Sequence, residues 1–544
     1  MNSNIKTLED LYNYATSTYS NQTLNRTCDS EAGYSFESFR HRCEKLSDLL
    51  SLYGVGADAK VAIYASGQVN WSLAFFTAVA HGRIAVPILP DFSGSEAGHV
   101  LAHSGSRVLF ASSRQLAKLS QDTIKALDLV ISIEDLQIVS VGANGNASEV
   151  AKTRPQTDPY SPAAIIYTSG TTGDAKGVVL THNNFLANVR AAEKIYRIGT
   201  EDVMLSILPL AHAYELSLGM LYPFSMGASV CYISKTPSPS YLMKVMQDVR
   251  PTAMLTVPLI IEKVYKGTIL PMIRKSPSLS WLDRHAHTLL CRIIGKKMIK
   301  TFGGRLRFFG IGGAKLDVDV ERFLYAARFP YYIGYGLTEC APLLSICSYL
   351  DTVPGSIGFP IDGVSLRLDN VNPSTGEGEI IAKGPNIMPC YYKDEVRTLK
   401  AFNREGWFRT GDLAVVDKEG RYAIKGRLGN MIVGASGENI YPEEIEKVVK
   451  EIPDVEDVIV VYRRNGLVCL VRAADSLFDF SKAQTDEATL KALNKFKTSV
   501  MDYVNKRVSV ASRISKVEMM TVPFEKTATL KIRRFLYVSQ SPSI

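Results

Sequence analysis

Ala163-Ala-Ile-Ile-Tyr-Thr-Ser-Gly-Thr-Thr-Gly-Asp-Ala-Lys-Gly177 sets an apolar run directly against a turn of small hydroxyl residues, three glycines and a lysine. The run reads as a strand over 163–168. The turn has the composition of a polyphosphate cradle. Glycine leaves room for backbone N–H groups to approach phosphate oxygens, hydroxyls donate hydrogen bonds, and Lys176 adds positive charge. A solvent-exposed loop could hold the same residue types, but their density here favours phosphate binding. It is not a Walker A loop, which needs glycine before the lysine and Ser or Thr after it, because Ala175 and Gly177 flank Lys176.

Outward from this stretch, short apolar runs alternate with helical patterns. Lys60–Tyr64, Ile84–Ile88 and Arg107–Ala111 read as strands, and 35–52 and 71–81 as helices. The alternation predicts layered, mostly parallel α/β structure. Residues 142–162, rich in Gly, Asn, Ser, Thr and Pro, read as a surface connection. Further strands are expected at 203–208, 229–233, 254–257 and 305–310. From Gly376 the sequence becomes turn-rich and β-like, which predicts an antiparallel region ending near 426–430. Beyond it a compact unit restarts, with a helix over 441–450, strands at 455–462 and 467–473, and an amphipathic helix over 485–508. The expected fold is therefore α/β, a large N-terminal body of layered sheets over 1–426 and a smaller, mobile C-terminal α+β domain over 430–544. A chain of 544 residues exceeds what one core usually organises.

Composition excludes several classes. Hydrophobic residues at 46% and charged residues at 21% are those of a globular protein. The net charge of +8 is dispersed without a basic arm, so no nucleic-acid partner is expected. The eight cysteines lack the close pairing of a zinc site or redox dithiol, which fits a reducing cytoplasm. The N-terminus lacks the basic-then-apolar pattern of a secretory signal, and apolar stretches fall short of the about 20 residues that span a bilayer. Any membrane contact is expected to be peripheral, at the inner face.

Later motifs give the phosphate turn its meaning. Gly312-Gly-Ala-Lys-Leu316, Tyr335-Gly-Leu-Thr-Glu339, Trp407-Phe-Arg-Thr-Gly-Asp412, Gly426-Arg-Leu-Gly429 and Pro523-Phe-Glu-Lys-Thr-Ala-Thr-Leu-Lys-Ile-Arg533 follow in order. Together with the turn they resemble the adenylate-forming (AMP-binding) superfamily. Alanine at 175 replaces the family's usual proline, glycine at 429 its usual Asp or Lys, and Leu530 its commoner glycine. Taken singly, Glu339 would be a solvated carboxylate, Tyr335 a core residue and Thr410-Gly-Asp412 a turn. The resemblance implies that Thr168, Ser169, Gly170, Thr171, Thr172, Gly173 and Lys176 wrap the ATP phosphates. It further implies that Gly313 and Ala314 line the adenine, that Tyr335 stacks on it beside Gly336 and Thr338, and that Asp412 and Arg427 hold the ribose and phosphate. Thr168 and Glu339 would bind Mg2+. Lys531 would be the catalytic lysine, with Lys526 as a rival.

Leu208-Pro-Leu-Ala-His-Ala-Tyr-Glu215 and Val257-Pro-Leu-Ile-Ile-Glu-Lys-Val-Tyr265 resemble the long-chain fatty acyl-CoA synthetase branch. That implies ATP-dependent conversion of a fatty acid to acyl-AMP and then transfer to CoA. His212 would lie near the carboxylate, and Gly437 would let the CoA arm pass. Rotation near 426–430 would exchange the Lys531 and Gly437 faces between the two steps. A carrier-protein thiol is the alternative acceptor, since every adenylation residue would be shared. A nucleotide-binding protein without turnover is the third reading, opposed by the intact Lys176, Glu339, Asp412 and Lys531.

Overall fold

The computed structural model describes residues 4–30, 32–142, 157–169, 175–233, 235, 238–433, 439–463, 466–474, 477–478, 487–526 and 532–538. Two large sheets carry the body. In the first, Leu129–Ser132, Val108–Ala111, Lys60–Tyr64, Ile84–Ile88 and Pro162–Ser169 run parallel, in that spatial order. Antiparallel strands Ile138–Val141 and Ala175–Thr181 close its two edges. The inner strands are continuous apolar runs because both faces are covered: Val61, Ala62, Ile63, Val108, Leu109 and Phe110 are all fully buried.

The second sheet has nine strands. Tyr331–Gly336, Phe308–Ile311, Ala253–Thr256, Val203–Ser206, Ser229–Tyr232 and Thr23–Thr27 form its parallel centre. Leu343–Ser348, Phe359–Pro360 and Gly33–Ser35 add antiparallel edges. The strand expected at 305–310 begins later, at Phe308, because Gly303 and Gly304 both take positive φ and use the preceding residues as a turn.

Helices Phe36–Leu52, Val69–Val79 and Tyr222–Met226 meet through an aromatic knot. Phe76 and Phe224 stack at 4.3 Å, and Phe39 packs on both at 5.9 Å. All three rings are at most 1% exposed. Phe76→Ala is expected to cost about 3–5 kcal/mol of body stability. A thermal melt followed by tryptophan fluorescence checks this through an earlier transition of the body, where Trp71 is fully buried beside Phe75.

A four-stranded antiparallel sheet, Ser365–Asp369, Gly378–Lys383, Phe408–Val416 and Tyr422–Arg427, follows. It starts earlier than the β-like composition after Gly376 suggests, since Ser365–Asp369 alternates half-buried and exposed residues as an edge does. The C-terminal domain is smaller and, among the described residues, has a short pair, Ile432–Val433 with Asn439–Ile440, a three-stranded sheet, Val455–Arg463, Gly466–Ala473 and Ile514–Met519, and its own core around Val449, Val460, Cys469 and Val500. Its first helix, Pro442–Val449, opens with Pro442 at the first turn and Glu443 and Glu444 beside the positive helix end. Most of the surface connection expected over 142–162 lies outside the described residues.

Candidate functional site

Strand Pro162–Ser169 delivers Thr168, and its antiparallel neighbour returns Lys176 to the position opposite. Lys176 Nζ lies 2.6 Å from Glu339 Oε1, and 2.8 Å from the Tyr391 hydroxyl. That hydroxyl also donates to Glu339 Oε1 at 2.8 Å, closing a triangle. The ammonium sits 4.6 Å from the centre of the Tyr391 ring. Burial disfavours ionisation of Glu339, but the Lys176 charge and the hydrogen bonds from Lys176 and Tyr391 outweigh it and hold its carboxyl below the usual carboxylate range. Burial, reinforced by the neighbouring carboxylate, raises Tyr391 well above an ordinary phenol, so it remains a donor.

Beside this triangle stands an unpaired group. The Thr168 hydroxyl is buried and has no hydrogen-bond partner among the described residues, a deficit that usually marks a ligand or water position. An orphaned hydroxyl and an ionised carboxylate fit a hard divalent cation that takes its other ligands from phosphates and water. No group of three or more His, Cys, Asp or Glu residues able to cage a metal occurs among the described residues. Gly170, Thr171, Thr172 and Gly173 lie outside the described residues, as does the side chain of Ser169.

A second cluster gathers at the carboxyl ends of adjacent parallel strands, where open α/β sheets bind ligands. Gly313 and Ala314 follow Phe308–Ile311 and are exposed, with Gly313 at φ +85°. Tyr335 ends the neighbouring strand and donates its hydroxyl to Asp412 Oδ2 at 2.7 Å. Burial and then the Asp412 charge raise its phenol far above the ordinary value. At Gly336 a side chain is impossible, since a Cβ would lie 1.8 Å from the Pro342 carbonyl oxygen. Thr338 is half-buried at the start of the turn that presents Glu339.

Asp412 is buried and stands opposite Arg427 in the four-stranded sheet, with Arg427 Nε 2.7 Å from Asp412 Oδ1. The arginine is half-exposed, so the pair presents one buried anion and one accessible cation to the same space. Neighbouring groups stiffen this corner. Thr410 Oγ1 accepts from the Asp412 N–H, and Glu379 pairs with Arg409 at 2.6 Å while accepting from the Gly411 N–H. A carboxylate held this way suits hydrogen bonds from two sugar hydroxyls.

His212 is half-buried in the turn before the π-helical segment Glu215–Leu221. Three residues on, Glu215 is fully buried. Ser206 Oγ donates to its Oε1 at 2.5 Å, while Oε2 has no partner among the described residues. Gly219 makes room, as a Cβ there would sit 2.7 Å from the carboxyl. Burial raises Glu215 from 4.5 to about 8, partly offset by the Ser206 bond. At pH below about 4.5 the proton is bound in folded and unfolded chains alike, and the group costs nothing. As pH rises to about 8 only the unfolded chain releases it, so stability falls across that window and the penalty is complete above it. Glu215→Gln is expected to abolish this slope, measured as the melting temperature of both proteins from pH 5 to 8.

Gly437 and Lys531 lie outside the described residues. Of the two candidate lysines, Lys526 is already committed, 2.6 Å from Asp457 Oδ2 within the small domain. The reading of the sequence missed Tyr391, Ser206 and Glu215. Tyr391 sits in a turn-rich stretch with no periodic signal, and Glu215 lay inside a segment read only for its histidine.

Comparison with known proteins finds relatives over most of the chain. The long-chain-fatty-acid–CoA ligase FadD15 of Mycobacterium bovis is 27% identical over 534 aligned residues, covering 89% of this chain and 87% of its own. The chloroplastic long-chain-fatty-acid–acyl-carrier-protein ligase AEE15 of Arabidopsis thaliana is also 27% identical, over 90% of this chain and 79% of its own. The O-succinylbenzoate coenzyme A synthetase of Bacillus subtilis shares the fold. With its acyl-adenylate intermediate it superposes at a TM-score of 0.76 and 20% identity, covering 98% of this chain and 99% of that one. With ATP and magnesium the score is 0.75 at 19% identity, over 97% and 99%. Residues 16–392 match the family described as AMP-binding enzyme, and since that span is well over half of the chain, the protein belongs to this family.

Proposed function

We propose that the chain activates a long-chain fatty acid with ATP, forming acyl-AMP and pyrophosphate, and passes the acyl group to the thiol of CoA with release of AMP. The observation that carries this is the joining of Lys176, Glu339 and Tyr391 in one buried triangle beside the orphaned Thr168 hydroxyl. A charged triangle of this kind has little structural use, since its desolvation cost about cancels its attraction. It is well made for a polyphosphate.

In this reading Tyr335, Gly313 and Ala314 hold the adenine and Asp412 the ribose hydroxyls, with Arg427 beside the phosphate. Lys176 leaves Glu339 for phosphate oxygens when nucleotide enters. Mg2+, held by Thr168 and Glu339, would supply charge neutralisation at the phosphates. The fatty carboxylate attacks the α-phosphorus and pyrophosphate leaves. Lys531 stabilises the charge that grows on the oxygens in that transition state. The thiol then attacks the acyl carbonyl and AMP leaves as the mixed anhydride breaks.

One face of a second domain cannot serve both steps, so the domains are assigned to 1–426 and 430–544, with rotation between them near 426–430. Two features support that boundary. A Cβ at Gly426 would lie 2.7 Å from the Tyr441 ring, so glycine permits close contact between the last body strand and the small domain. A Cβ at Gly429 would meet nothing among the described residues, and glycine itself tolerates the large backbone changes a hinge needs. His212 and the apolar π-helical segment after it are assigned to the acyl side, where each buried methylene contributes about 0.8 kcal/mol and favours long chains. We assign the enzyme to the cytoplasm with at most peripheral lipid contact; no helix among the described residues is long and apolar enough to cross a membrane.

The acid:CoA reading is supported by the FadD15 likeness. The equal identity to a relative named for acyl-carrier-protein ligation favours testing a carrier thiol beside CoA. Purified protein is given ATP, magnesium and fatty acids of increasing length, with CoA or a phosphopantetheinylated carrier, and products are identified by mass spectrometry. Acyl-CoA is expected. Acyl-AMP that accumulates with CoA and is consumed only by the carrier would transfer the assignment to the second acceptor.

A further inference from the structure

Cys28 and Cys231 are 203 residues apart in sequence, yet their sulfurs lie 2.7 Å from each other. Strand pairing brings them together. Thr23–Thr27 runs parallel to Ser229–Tyr232 with Arg26 opposite Cys231, and the Cys28 N–H donates to the Tyr232 carbonyl at 2.9 Å. The separation is far inside ordinary sulfur contact and approaches the bonded distance of about 2.05 Å. No group of three or more His, Cys, Asp or Glu residues makes this a metal site among the described residues.

Access is one-sided. Cys231 is fully buried, while Cys28 is half-exposed and lines a cleft of about 560 Å³ with Asp29, Lys235, Tyr241, Lys244 and Asp248. Two lysines and two aspartates balance the charge of this cleft. The contact with Cys28 lowers the Cys231 thiol, while the same contact and then burial raise Cys28.

We propose that Cys28 and Cys231 form a reversible disulfide, oxidised by a peroxide or a small-molecule disulfide, that staples the end of strand Thr23–Thr27 to its neighbour Ser229–Tyr232 within the nine-stranded sheet. With hydrogen peroxide, the Cys28 sulfur attacks one oxygen, the O–O bond breaks, and the Cys28 thiol proton leaves with the departing oxygen as the first water, giving a sulfenic acid. The Cys231 sulfur then attacks the sulfenic sulfur, the S–S bond forms and the second oxygen leaves as water. Two thiols and one peroxide become one disulfide and two waters. The staple lies three strands from Phe308–Ile311 in the sheet, away from the adenine cluster. Under reducing conditions Cys28→Ser is expected to turn over like the parent protein.

The test treats the full chain with hydrogen peroxide or, separately, oxidised glutathione, then blocks free thiols and measures intact and peptide masses. The expected result is a loss of about 2 Da, one cross-linked peptide joining Cys28 to Cys231, and full reversal by dithiothreitol. Cys28→Ser and Cys231→Ser should each abolish it. Should the buried Cys231→Ser variant fail to fold, the peptide map of the parent protein and Cys28→Ser decide the matter. Both thiols remaining free to block, sulfinic acid accumulating at Cys28, or bridges scattered among other cysteines would overturn the proposal.

Discussion

Glu339→Gln is expected to slow acyl-adenylate formation about 10²–10³-fold, the loss typical when one preorganised electrostatic partner of a transition state is removed. Glutamine keeps the shape of the side chain and an oxygen that can accept from Tyr391 at the present 2.8 Å. It loses the charge that holds Lys176 at 2.6 Å and that a hard divalent cation requires. The substitution also leaves the Lys176 ammonium, about three-quarters buried, without its anion, and breaking such a pair destabilises a fold by about 3–5 kcal/mol. The two consequences separate cleanly. A melt reports the loss of stability, while pyrophosphate exchange at a temperature where the variant is folded reports the catalytic loss. A folded variant that exchanges at the parent rate would remove Glu339 from the nucleotide site.

Lys531→Ala is expected to have an effect of similar size, confined to one half of the reaction. Adenylation should fall about 10²–10³-fold, since an ammonium placed where charge develops is worth that much. Thioester formation from supplied acyl-AMP should stay within a few-fold of the parent protein. Lys531 itself lies outside the described residues, but its rival is occupied. Lys526 is held by Asp457 in the small domain, and Lys526 and Ile532 pair with each other on either side of the segment. Just beyond, Arg533 reaches the body and lies 2.8 Å from Glu96, whose carboxylate also accepts from the Ser93 N–H at the start of helix Gly94–Ser104. The end of the small domain is thus tied to the large body close to Lys531 in sequence. Equal losses in the two half-reactions would contradict the assignment, and rescue of neither by added amine would leave it standing on the split alone.

Where the chain announces its structure, it does so through local physics. Lys60–Tyr64 and Ile84–Ile88 are strands with the bounds read from the sequence, because a short apolar run buried on both faces leaves no choice of register. Glu339, Tyr335 and Asp412 stood out in the sequence because each sits in a short motif that resembles the family's, and their roles are those the proposed function assigns; most of the phosphate turn lies outside the described residues. What stayed hidden depends on distance along the chain. Tyr391 completes a triangle with residues 52 and 215 positions away, and no local pattern distinguishes it from a core tyrosine. The cysteines looked unpaired because spacing rules see neighbours, whereas Cys28 and Cys231 meet only when two parallel strands align. Glu215 was hidden for another reason. A glutamate in an apolar stretch ordinarily points to solvent, and only the fold reveals that this one is buried against Ser206.

The central claim, that a fatty carboxylate is activated as its adenylate in the pocket built around Lys176, Glu339 and Asp412, is tested most directly by exchange of labelled pyrophosphate into ATP. The account predicts exchange that needs both magnesium and a long-chain fatty acid, proceeds without CoA, and is lost in Glu339→Gln. Folded protein that exchanges no label with any acid supplied would contradict it.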